Sequence, residues 1–445
     1  MSSSSSGCWK EGKAMTVDSI AAQLHAELAG TVVPQVLSEY GRRAYFPKGI
    51  VAQSQEAASA AHVANATAGV ALDHGHYMTH GMFSRLDAVV SSDDMVSYAP
   101  TAGDPALRKL WWDEMVRKNP LLAGSSCSLP IVTAGLTHAI AIAADLFLDA
   151  GDTVVVPSPC WDNYEQIFSV RHGCTIQSPS LFDANRRFSL EALGSTLDGI
   201  VSDKIFLLLN FPNNPTGYTP TRLEMEGIRD LLVDLAQAGK RLVVVVDDAY
   251  FGLFHDENAC RYSLFSLLWN AHENLLAVKC DAATKESLVW GFRVGFITYA
   301  AHGLTERHYH AMVQKTMGVI RSSVSSCSRV SQSLLLAAMR HEAYGAETKR
   351  VSDEMARRYG SVRESILTWK DSVALLPLPF NSGYFCTFAC AGDAESLRRY
   401  LLENHGIGTV SIGKDLLRIA YSGVDAELLP HMIDTVYRSA ETIWK

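Results

Sequence analysis

The sequence predicts an α/β fold: a mainly parallel sheet sandwiched by helices, joined to a smaller α+β domain. Short apolar runs alternate with amphipathic helical stretches through the middle of the chain, which is typical of repeated strand–helix–strand units. One of these runs, 243–246, consists of four consecutive valines. A continuous β-branched run of this kind is expected for a parallel strand that is buried on both faces.

The elements of the large sheet are predicted in chain order. An early helix has Asp104 as its cap and Pro105 in its first turn, and it ends before Asn119 and Pro120. The strand candidates are 130–133, 153–156, 205–209, 242–246, 275–278 and 294–299. Helices are expected over 137–148 and 220–238, in two of the intervals between strands.

A different pattern follows residue 340. A long charged amphipathic helix is predicted over 346–369, followed by an apolar segment at 384–388. Two further helices are expected over 393–404 and 426–444. Helices beside a short run of strands indicate a smaller α+β domain.

Composition excludes several classes of protein. The chain has 445 residues, 48% of them hydrophobic, and a net charge of 39 − 47 = −8. It therefore has the apolar content to bury a core, and it lacks the bulk positive charge of many nucleic-acid binders. Nine cysteines in a long chain indicate free thiols. With no apolar run of about 18 residues, we expect no membrane span. The free thiols lead us to expect a cytoplasmic enzyme. The Ser-rich residues 1–15 are expected to form a flexible head.

Four motifs of polar residues occur in order between residues 210 and 423. The first, NFPNNPTG, covers 210–217, and the second, DDAY, covers 247–250. The third places Arg293 eight residues after Lys285, and the fourth contains Arg418 in LLRIAYSG. Because ligands bind outside the carboxyl ends of parallel strands, the first two motifs stand where a binding site is expected.

Together these side chains have the chemistry that one cofactor needs. A lysine forms a Schiff base with a carbonyl group, and a carboxylate keeps a pyridine nitrogen protonated. An Asn and a Tyr hydrogen-bond a ring oxygen, one Arg holds a phosphate and another takes a carboxylate bidentately. These requirements describe pyridoxal phosphate.

From about Phe46 to its C-terminus the chain resembles the class I/II aminotransferases, the aspartate-aminotransferase-like family with the pyridoxal-phosphate fold type I. The resemblance implies pyridoxal phosphate bound to Lys285. It also implies that Asp247 pairs with the pyridine nitrogen and that Asn214 and Tyr250 hydrogen-bond the ring oxygen. Arg293 would bind the phosphate and Arg418 the substrate carboxylate. The catalytic residues implied are Lys285, Asp247 and Tyr250.

Further matches extend this resemblance. Leu136 and Thr137 correspond to the turn that binds the phosphate at a helix N-terminus. Trp161 corresponds to the aromatic residue that stacks on the cofactor ring, where it and Asn214 also border the substrate. Tyr98 corresponds to a tyrosine that reaches the phosphate of the neighbouring subunit, which implies a homodimer with shared active sites. Ala282 departs from the family, which usually has a serine three residues before the lysine.

The resemblance implies a large cofactor domain over 61–340 and a discontinuous small domain made of 16–60 and 341–445. The activity it implies is transfer of an amino group between an L-amino acid and a 2-oxo acid by a ping-pong mechanism. Two alternatives remain open: a lyase or synthase of the same fold, such as a β-eliminating carbon–sulfur lyase, and a cofactor-binding regulator. The second is disfavoured because few basic residues precede the matched region.

Other polar residues have competing interpretations. The resemblance places the loop from His74 to His80 near the substrate entrance. Either His76 or Tyr77 contacts the substrate there or the segment is a plain loop, and no metal is expected. Arg321 stands where dicarboxylate-specific relatives read an acidic side chain, although a surface arginine fits equally well.

Two polar neighbours of the motifs have simpler interpretations. Asp248 is expected to face away from Asp247 as a structural polar residue. Lys279 does not have the spacing to Arg293 that the third motif requires.

Overall fold

The computed structural model describes residues 50–78, 81, 91 and 96–444, with isolated positions at 19, 22 and 26. The predicted head, 1–15, and most of the segment 16–60 lie outside the described residues. The first elements are α1 (Ile50–Ala60), β1 (Ala64–Asn65), β2 (Leu72–Asp73), β3 (His76–Tyr77) and α2 (Pro105–Lys118). Helix α2 begins as predicted, because the Asp104 carboxylate accepts hydrogen bonds from the backbone N–H groups of Ala106 and Leu107.

Seven strands form the large sheet. They are β4 (Ile131–Thr133), β5 (Thr153–Val155), β6 (Thr175–Gln177), β7 (Lys204–Asn210), β8 (Arg241–Asp247), β9 (Leu275–Ala282) and β10 (Gly295–Ala300). Their spatial order is β4-β10-β9-β8-β7-β5-β6. All neighbours are parallel except β10, which runs antiparallel to β4 and β9. The predicted α/β class with a mainly parallel sheet is confirmed; the reversed direction of β10 was not predicted.

Helices cover both faces of this sheet. They are α3 (Leu136–Phe147), a π-helix (Glu165–Arg171), α4 (Leu190–Asp198), α5 (Arg222–Gln237), α6 (Phe265–Leu268) and α7 (Glu306–Ser323). Side chains of β8 alternate between two apolar clusters: Val244 and Val246 belong to one, and Val245 to the other. The valine run is therefore buried on both faces, as its composition predicted.

A four-stranded antiparallel sheet follows near the C-terminus. The elements there are α8 (Arg329–Arg340), α9 (Tyr344–Leu367), β11 (Leu375–Pro377), β12 (Phe385–Cys390), α10 (Ala394–His405), β13 (Ile407–Gly408), β14 (Val410–Ile412), β15 (Leu416–Ala420) and α11 (Leu429–Ile443). The strand order is β11-β12-β15-β14. Strand β1 pairs with β13, which joins the N-terminal segment to this region. Over the described ranges, the structure contains no helix that is long and apolar enough to cross a membrane.

Candidate active site

A cavity of about 410 Å³ opens at the carboxyl edge of the large sheet. This volume is in the range of small-molecule sites. The cavity is lined by nine of the ten residues that the sequence assigned to cofactor and substrate: Leu136, Thr137, Trp161, Asn214, Asp247, Tyr250, Lys285, Arg293 and Arg418. The structure therefore brings together residues from across 283 positions of the chain, 136–418.

The strand directions explain why these side chains meet. Strands β4, β7, β8 and β9 are parallel, so the residues that follow them emerge at one edge of the sheet. Strand β10 runs the other way, so it begins at that same edge, where Gly295 lies opposite Thr133 and Ala282. Arg293, two residues before β10, consequently reaches the cavity although it precedes its strand.

Asp247 is the carboxylate of the cavity, and its side chain is buried. Its Oδ2 accepts a hydrogen bond of 2.6 Å from the Tyr164 hydroxyl, and its Oδ1 accepts one of 3.0 Å from the backbone N–H of Ala249. Burial raises the pKa of Asp247 to about 6, while these two hydrogen bonds act in the opposite direction. At neutral pH the group is therefore mostly ionised and rigidly oriented.

Lys285 lies in the loop after β9, and its Nζ donates a hydrogen bond of 3.1 Å to the carbonyl oxygen of Gly69. Burial, together with the positive charges of Arg293 and Arg418, lowers the pKa of Lys285 to about 8, against the opposing effect of Asp247. A large fraction of this amine is thus neutral at mildly alkaline pH, as a nucleophile or a general base requires.

Arg418, on β15, is a buried guanidinium. Its Nη1 donates to Asn214 Oδ1 at 3.0 Å and its Nη2 to the carbonyl oxygen of Thr67 at 2.7 Å, whereas its Nε has no partner in the described part of the chain. Burial lowers the pKa of Arg418 to about 10. A buried cation with an unused donor and no carboxylate partner among the described residues suits an incoming carboxylate.

The two groups expected at the ring oxygen are hydrogen-bond donors. Asn214 uses its side-chain oxygen for Arg418, so its amide NH₂ is the group that remains to donate. Burial raises the pKa of Tyr250 above its usual range, and Asp247 adds to this, against the opposing charge of Arg418. The Tyr250 hydroxyl therefore keeps its proton and is also able to donate.

The turn at Gly135 and the neighbouring Arg293 form an anion-binding part of the cavity lining. Gly135 caps α3 with a φ of +84°, and a Cβ at this position would lie 2.3 Å from Arg293 Nη2. Only glycine allows this close approach of the guanidinium to the turn. The N–H groups of Leu136 and Thr137 at the helix N-terminus add partial positive charge beside Arg293, which favours a phosphate.

Ala282, which replaces the usual serine of the family, lines the cavity without a hydroxyl group. Thr284 also lines the cavity, so it is a hydroxyl available on the same loop. Asp281 faces away: its Oδ2 accepts a hydrogen bond from Trp111 Nε1 and lies 3.0 Å from Lys279 Nζ.

Lys279 and Asp248 form a buried ion pair behind the cavity, each side chain only 1% exposed. Asp248 also accepts a hydrogen bond of 2.6 Å from Ser263. Asp248 therefore faces away from Asp247, as expected of a structural polar residue, and Lys279 does not line the cavity.

Several predicted residues lie outside the cavity. The side chain of Tyr98 is 90% exposed. Arg321 is exposed at the end of α7, where its Nη1 donates to Ser325 Oγ. His76 and Tyr77 are exposed on β3, and Thr79 and His80 lie outside the described residues.

One group of side chains near that loop is close enough to hold a metal ion: Asp73, His74 and Asp425. Asp73 and His74 are exposed, and His74 Nδ1 lies 3.5 Å from Asp425 Oδ2. Exposed groups of this kind are ordinary surface ion pairs. The expectation that no metal binds here stays a prediction.

Tyr164 and Asn210 also line the cavity, although neither was assigned a role from the sequence. Tyr164 follows Trp161 by three residues, a spacing that places both on one helical face, so a signal was present. Asn210 opens the first motif; its Oδ1 accepts from the Asn214 N–H at 2.8 Å and its Nδ2 donates to the Asp247 carbonyl at 2.9 Å. Gly69 carried no signal, because its contact with Lys285 joins residues 216 positions apart.

Comparison with known proteins gives consistent results. The family model "Aminotransferase class I and II" matches residues 72–436. The chain is 22% identical over 347 residues to an aspartate aminotransferase of Pyrococcus horikoshii, covering 75% of this chain and 81% of that protein. It is 24% identical over 214 residues to an aspartate aminotransferase of Bacillus sp. (strain YM-2), where the match spans about half of each chain, 47% and 51%.

A solved structure supports the fold. An aminotransferase from Anaerococcus prevotii superimposes with a TM-score of 0.81 at 24% identity, covering 92% of this chain and 100% of that one. The resemblance stated from the motifs is confirmed, since the family match extends over most of the chain. This protein belongs to the class I and II aminotransferase family, and it has that family's fold.

Proposed function

We propose that the protein is a pyridoxal-phosphate-dependent aminotransferase that moves an amino group between an L-amino acid and a 2-oxo acid by a ping-pong mechanism. One observation carries the proposal. Lys285, with its lowered pKa, shares a cavity with the buried carboxylate of Asp247 and with two arginines that have no acidic partner among the described residues. Family membership supports the same activity.

The residues present fit this cofactor. Among the described lining residues, Lys285, Arg293 and Arg418 are basic and Asp247 alone is acidic, and this excess of basic groups suits a phosphate and a carboxylate. Arg293 and the turn at Gly135 would hold the phosphate. Asp247 would face the pyridine nitrogen, Asn214 and Tyr250 the ring oxygen, and Trp161 a face of the ring. When bound, pyridoxal phosphate supplies an aldehyde carbon that accepts the amino group and a ring that withdraws electrons.

Lys285 moves the proton. With its pKa near 8, the amine is neutral often enough to take the α-proton of the substrate, and it then holds that proton on Nζ until it is delivered. Its hydrogen bond to the Gly69 carbonyl keeps Nζ in the cavity before substrate arrives. The same side chain is the one that the resemblance implies is covalently attached to the cofactor.

Asp247 and Arg418 hold charge and orientation. The Asp247 carboxylate stabilises a proton on the nitrogen that faces it, and this attraction is strong because the buried site excludes water. Arg418 binds the substrate α-carboxylate, and the Phe385 ring, 4.5 Å from its guanidinium carbon, covers it from solvent. Together, Asp247 and Arg418 fix the orientation of the substrate Cα–H bond relative to the Lys285 amine.

An absorbance spectrum of the purified protein, titrated with a panel of amino acids, tests the proposal. We expect a cofactor band that amino donors bleach and that Lys285→Ala abolishes, whereas Lys349→Ala, at an exposed ion pair with Asp353, retains it. Initial rates with two substrates should give parallel double-reciprocal plots. Intersecting plots would overturn the ping-pong mechanism. Release of ammonia and an oxo acid without an acceptor would assign the protein to the lyases instead.

We also propose a homodimer in which Tyr98 reaches the cavity of the partner subunit. Its exposed ring, beside the 83% exposed Val96, supports this arrangement. Mixed dimers of Lys285→Ala and Tyr98→Ala provide the test. If sites are shared, one site of the mixed dimer carries both changes and the other carries neither, so mixing restores activity. Activity that stays at the level of the separate variants contradicts sharing.

The domain division and the compartment are proposals of the same kind. We propose a large domain over 61–340 and a small domain of 16–60 and 341–445; the hydrogen bond from Gln53 to the Ser411 carbonyl and the ion pair of Glu56 with Arg398 support a discontinuous small domain. Limited proteolysis with fragment mapping tests it. Eight cysteines fall in the described ranges, all of them free thiols, which supports a reducing compartment such as the cytoplasm. Imaging of a tagged chain in cells tests this.

A further inference from the structure

A partly buried ion pair lies beside the lysine loop, outside the cavity. Glu286 directly follows Lys285, and its carboxylate pairs with Lys118, the last residue of α2. Lys118 Nζ also lies 3.1 Å from Glu114. The side chains of Lys118, Glu286 and Glu114 are only 16%, 14% and 16% exposed. The proposed chemistry uses none of these three groups.

The backbone encloses Glu286 from its other side. Gly252 has a φ of +99°, and a Cβ at this position would lie 2.7 Å from Glu286 Oε1. The carboxylate therefore sits between the Lys118 ammonium and the backbone of the turn that carries Tyr250. Movement of Glu286 would displace two sides of the active site together.

The loop that carries Lys285 needs such support. Leu288 has a left-handed φ of +55°, a conformation that is strained for a non-glycine residue. Other contacts on the loop include a hydrogen bond of 3.0 Å from the Tyr384 hydroxyl to the Lys285 carbonyl. A strained loop persists only when surrounding contacts over-determine it.

Lys118 has the charge needed to hold this loop. Burial alone would lower the pKa of Lys118, but Glu286 and Glu114 outweigh burial and hold it above its usual value. The ammonium therefore stays protonated over the working pH range. A cation at the C-terminus of α2 is also favoured by the helix dipole.

We propose that Lys118 is a positioning residue, whose ion pair with Glu286 keeps the Lys285 amine at the place where it exchanges a proton with the substrate. This inference rests on the proposed aminotransferase function. It predicts that the charge pair, although outside the cavity, affects both the rate and the pH dependence of turnover.

Lys118→Met in the holoenzyme is the main test, because methionine keeps the length and removes the charge. We expect kcat to fall about ten- to a hundredfold, with little change in KM for the amino donor, since a misplaced proton acceptor slows chemistry without weakening binding. The uncompensated Glu286 carboxylate should also move the midpoint of the kcat–pH profile to higher pH. Lys109→Met, on the same helix but in an exposed ion pair with Asp113, should behave as wild type.

Substitution of Glu286 should shift the midpoint of the kcat–pH profile in the opposite direction. Glu286→Gln leaves the Lys118 cation uncompensated, so the midpoint should move to lower pH while kcat again falls. The double variant, Lys118→Met with Glu286→Gln, should restore the wild-type midpoint but not the wild-type kcat. Lys118→Arg, which keeps the positive charge, should retain much of the wild-type kcat. If Lys118→Met does not fold, Glu286→Gln carries the same test with the opposite sign. Wild-type kcat and midpoint in both single variants would overturn the inference.

A second measurement avoids turnover altogether. In cofactor-free protein, the pH dependence of reductive methylation at Lys285, followed by peptide mass spectrometry, reports the pKa of that amine directly. It should rise in Lys118→Met and fall in Glu286→Gln. A purely structural ion pair would lower the thermal unfolding midpoint and leave this pKa unchanged, which contradicts the inference. Absence of turnover in wild type, by contrast, would contradict the proposed function and not the positioning of Lys285.

Discussion

The hydroxyl of Tyr164 donates a hydrogen bond of 2.6 Å to the Oδ2 of Asp247, and both side chains are buried. Burial raises the pKa of Asp247, and this hydrogen bond is the largest of the contacts that counter it. The bond also fixes the plane of the carboxylate. Tyr164 thus determines how far Asp247 is ionised at neutral pH and where its charge points.

Tyr164→Phe should reduce turnover because it lowers the fraction of Asp247 that is ionised at neutral pH. Without the hydroxyl, the pKa of Asp247 rises further above about 6, so the acidic limb of the kcat–pH profile should move to higher pH. We expect kcat at neutral pH to fall about tenfold, the effect of losing a charge-assisted hydrogen bond. Tyr299→Phe is the control, because it also loses a buried hydroxyl contact, to Thr316, away from the cavity. An unchanged acidic limb would count against this role.

Arg418→Lys should weaken binding of the amino donor although it keeps the positive charge. Lysine lacks the planar fork that contacts Asn214, Thr67 and a carboxylate together. We expect kcat/KM to fall about a hundredfold, mostly through KM, in steady-state assays. Arg438→Lys, at an exposed ion pair with Asp434, should leave both constants unchanged. An unaltered KM in Arg418→Lys would mean that the substrate carboxylate binds elsewhere.

Gly135→Ala should impair cofactor binding. The added Cβ would overlap Arg293 Nη2 and also strain a backbone at φ +84°. We expect the dissociation constant of pyridoxal phosphate, measured by absorbance titration, to rise at least about tenfold, because charge-assisted contacts to the phosphate are lost. Gly124→Ala separates the two effects: its φ is +72°, yet a Cβ there meets no atom within 4 Å. Equal loss of affinity in both variants would mean that the overlap with Arg293 is not the cause.

Lys285→Met should stabilise the cofactor-free protein at neutral pH. The pKa of Lys285 is lowered from 10.5 to about 8 in the folded state, so folding disfavours its protonated form. This cost is fully present below pH 8, declines between pH 8 and 10.5, and is absent above 10.5. Urea unfolding should therefore show a gain for Lys285→Met at pH 7 that shrinks at pH 10.5. Lys349→Met, at an exposed position, should show none; a gain independent of pH would contradict this account.

The strands of the large sheet were predictable because each is indicated by the pattern of a few neighbouring residues. The valine run of β8 and the cap at Asp104 are signals confined to a few neighbouring residues, and the structure follows them closely. The reversed β10 had no such signal, since direction depends on which neighbours a strand pairs with. That reversal is what brings Arg293 to the cavity edge.

The candidate site likewise has features that local sequence determines and features that only the folded chain determines. Residue type, order and spacing by themselves determined the family, the cofactor class and nine of the nineteen described lining residues, because the chemistry of Lys285, Asp247 and Arg418 is carried by side-chain identity. Only the tertiary structure decided which partners these residues contact. Tyr164 hydrogen-bonds Asp247, the Gly69 carbonyl accepts from Lys285, and Lys118 pairs with Glu286, the neighbour of Lys285. These partners are remote in sequence, and burial, distance and charge, which set a pKa, exist only once the chain is folded.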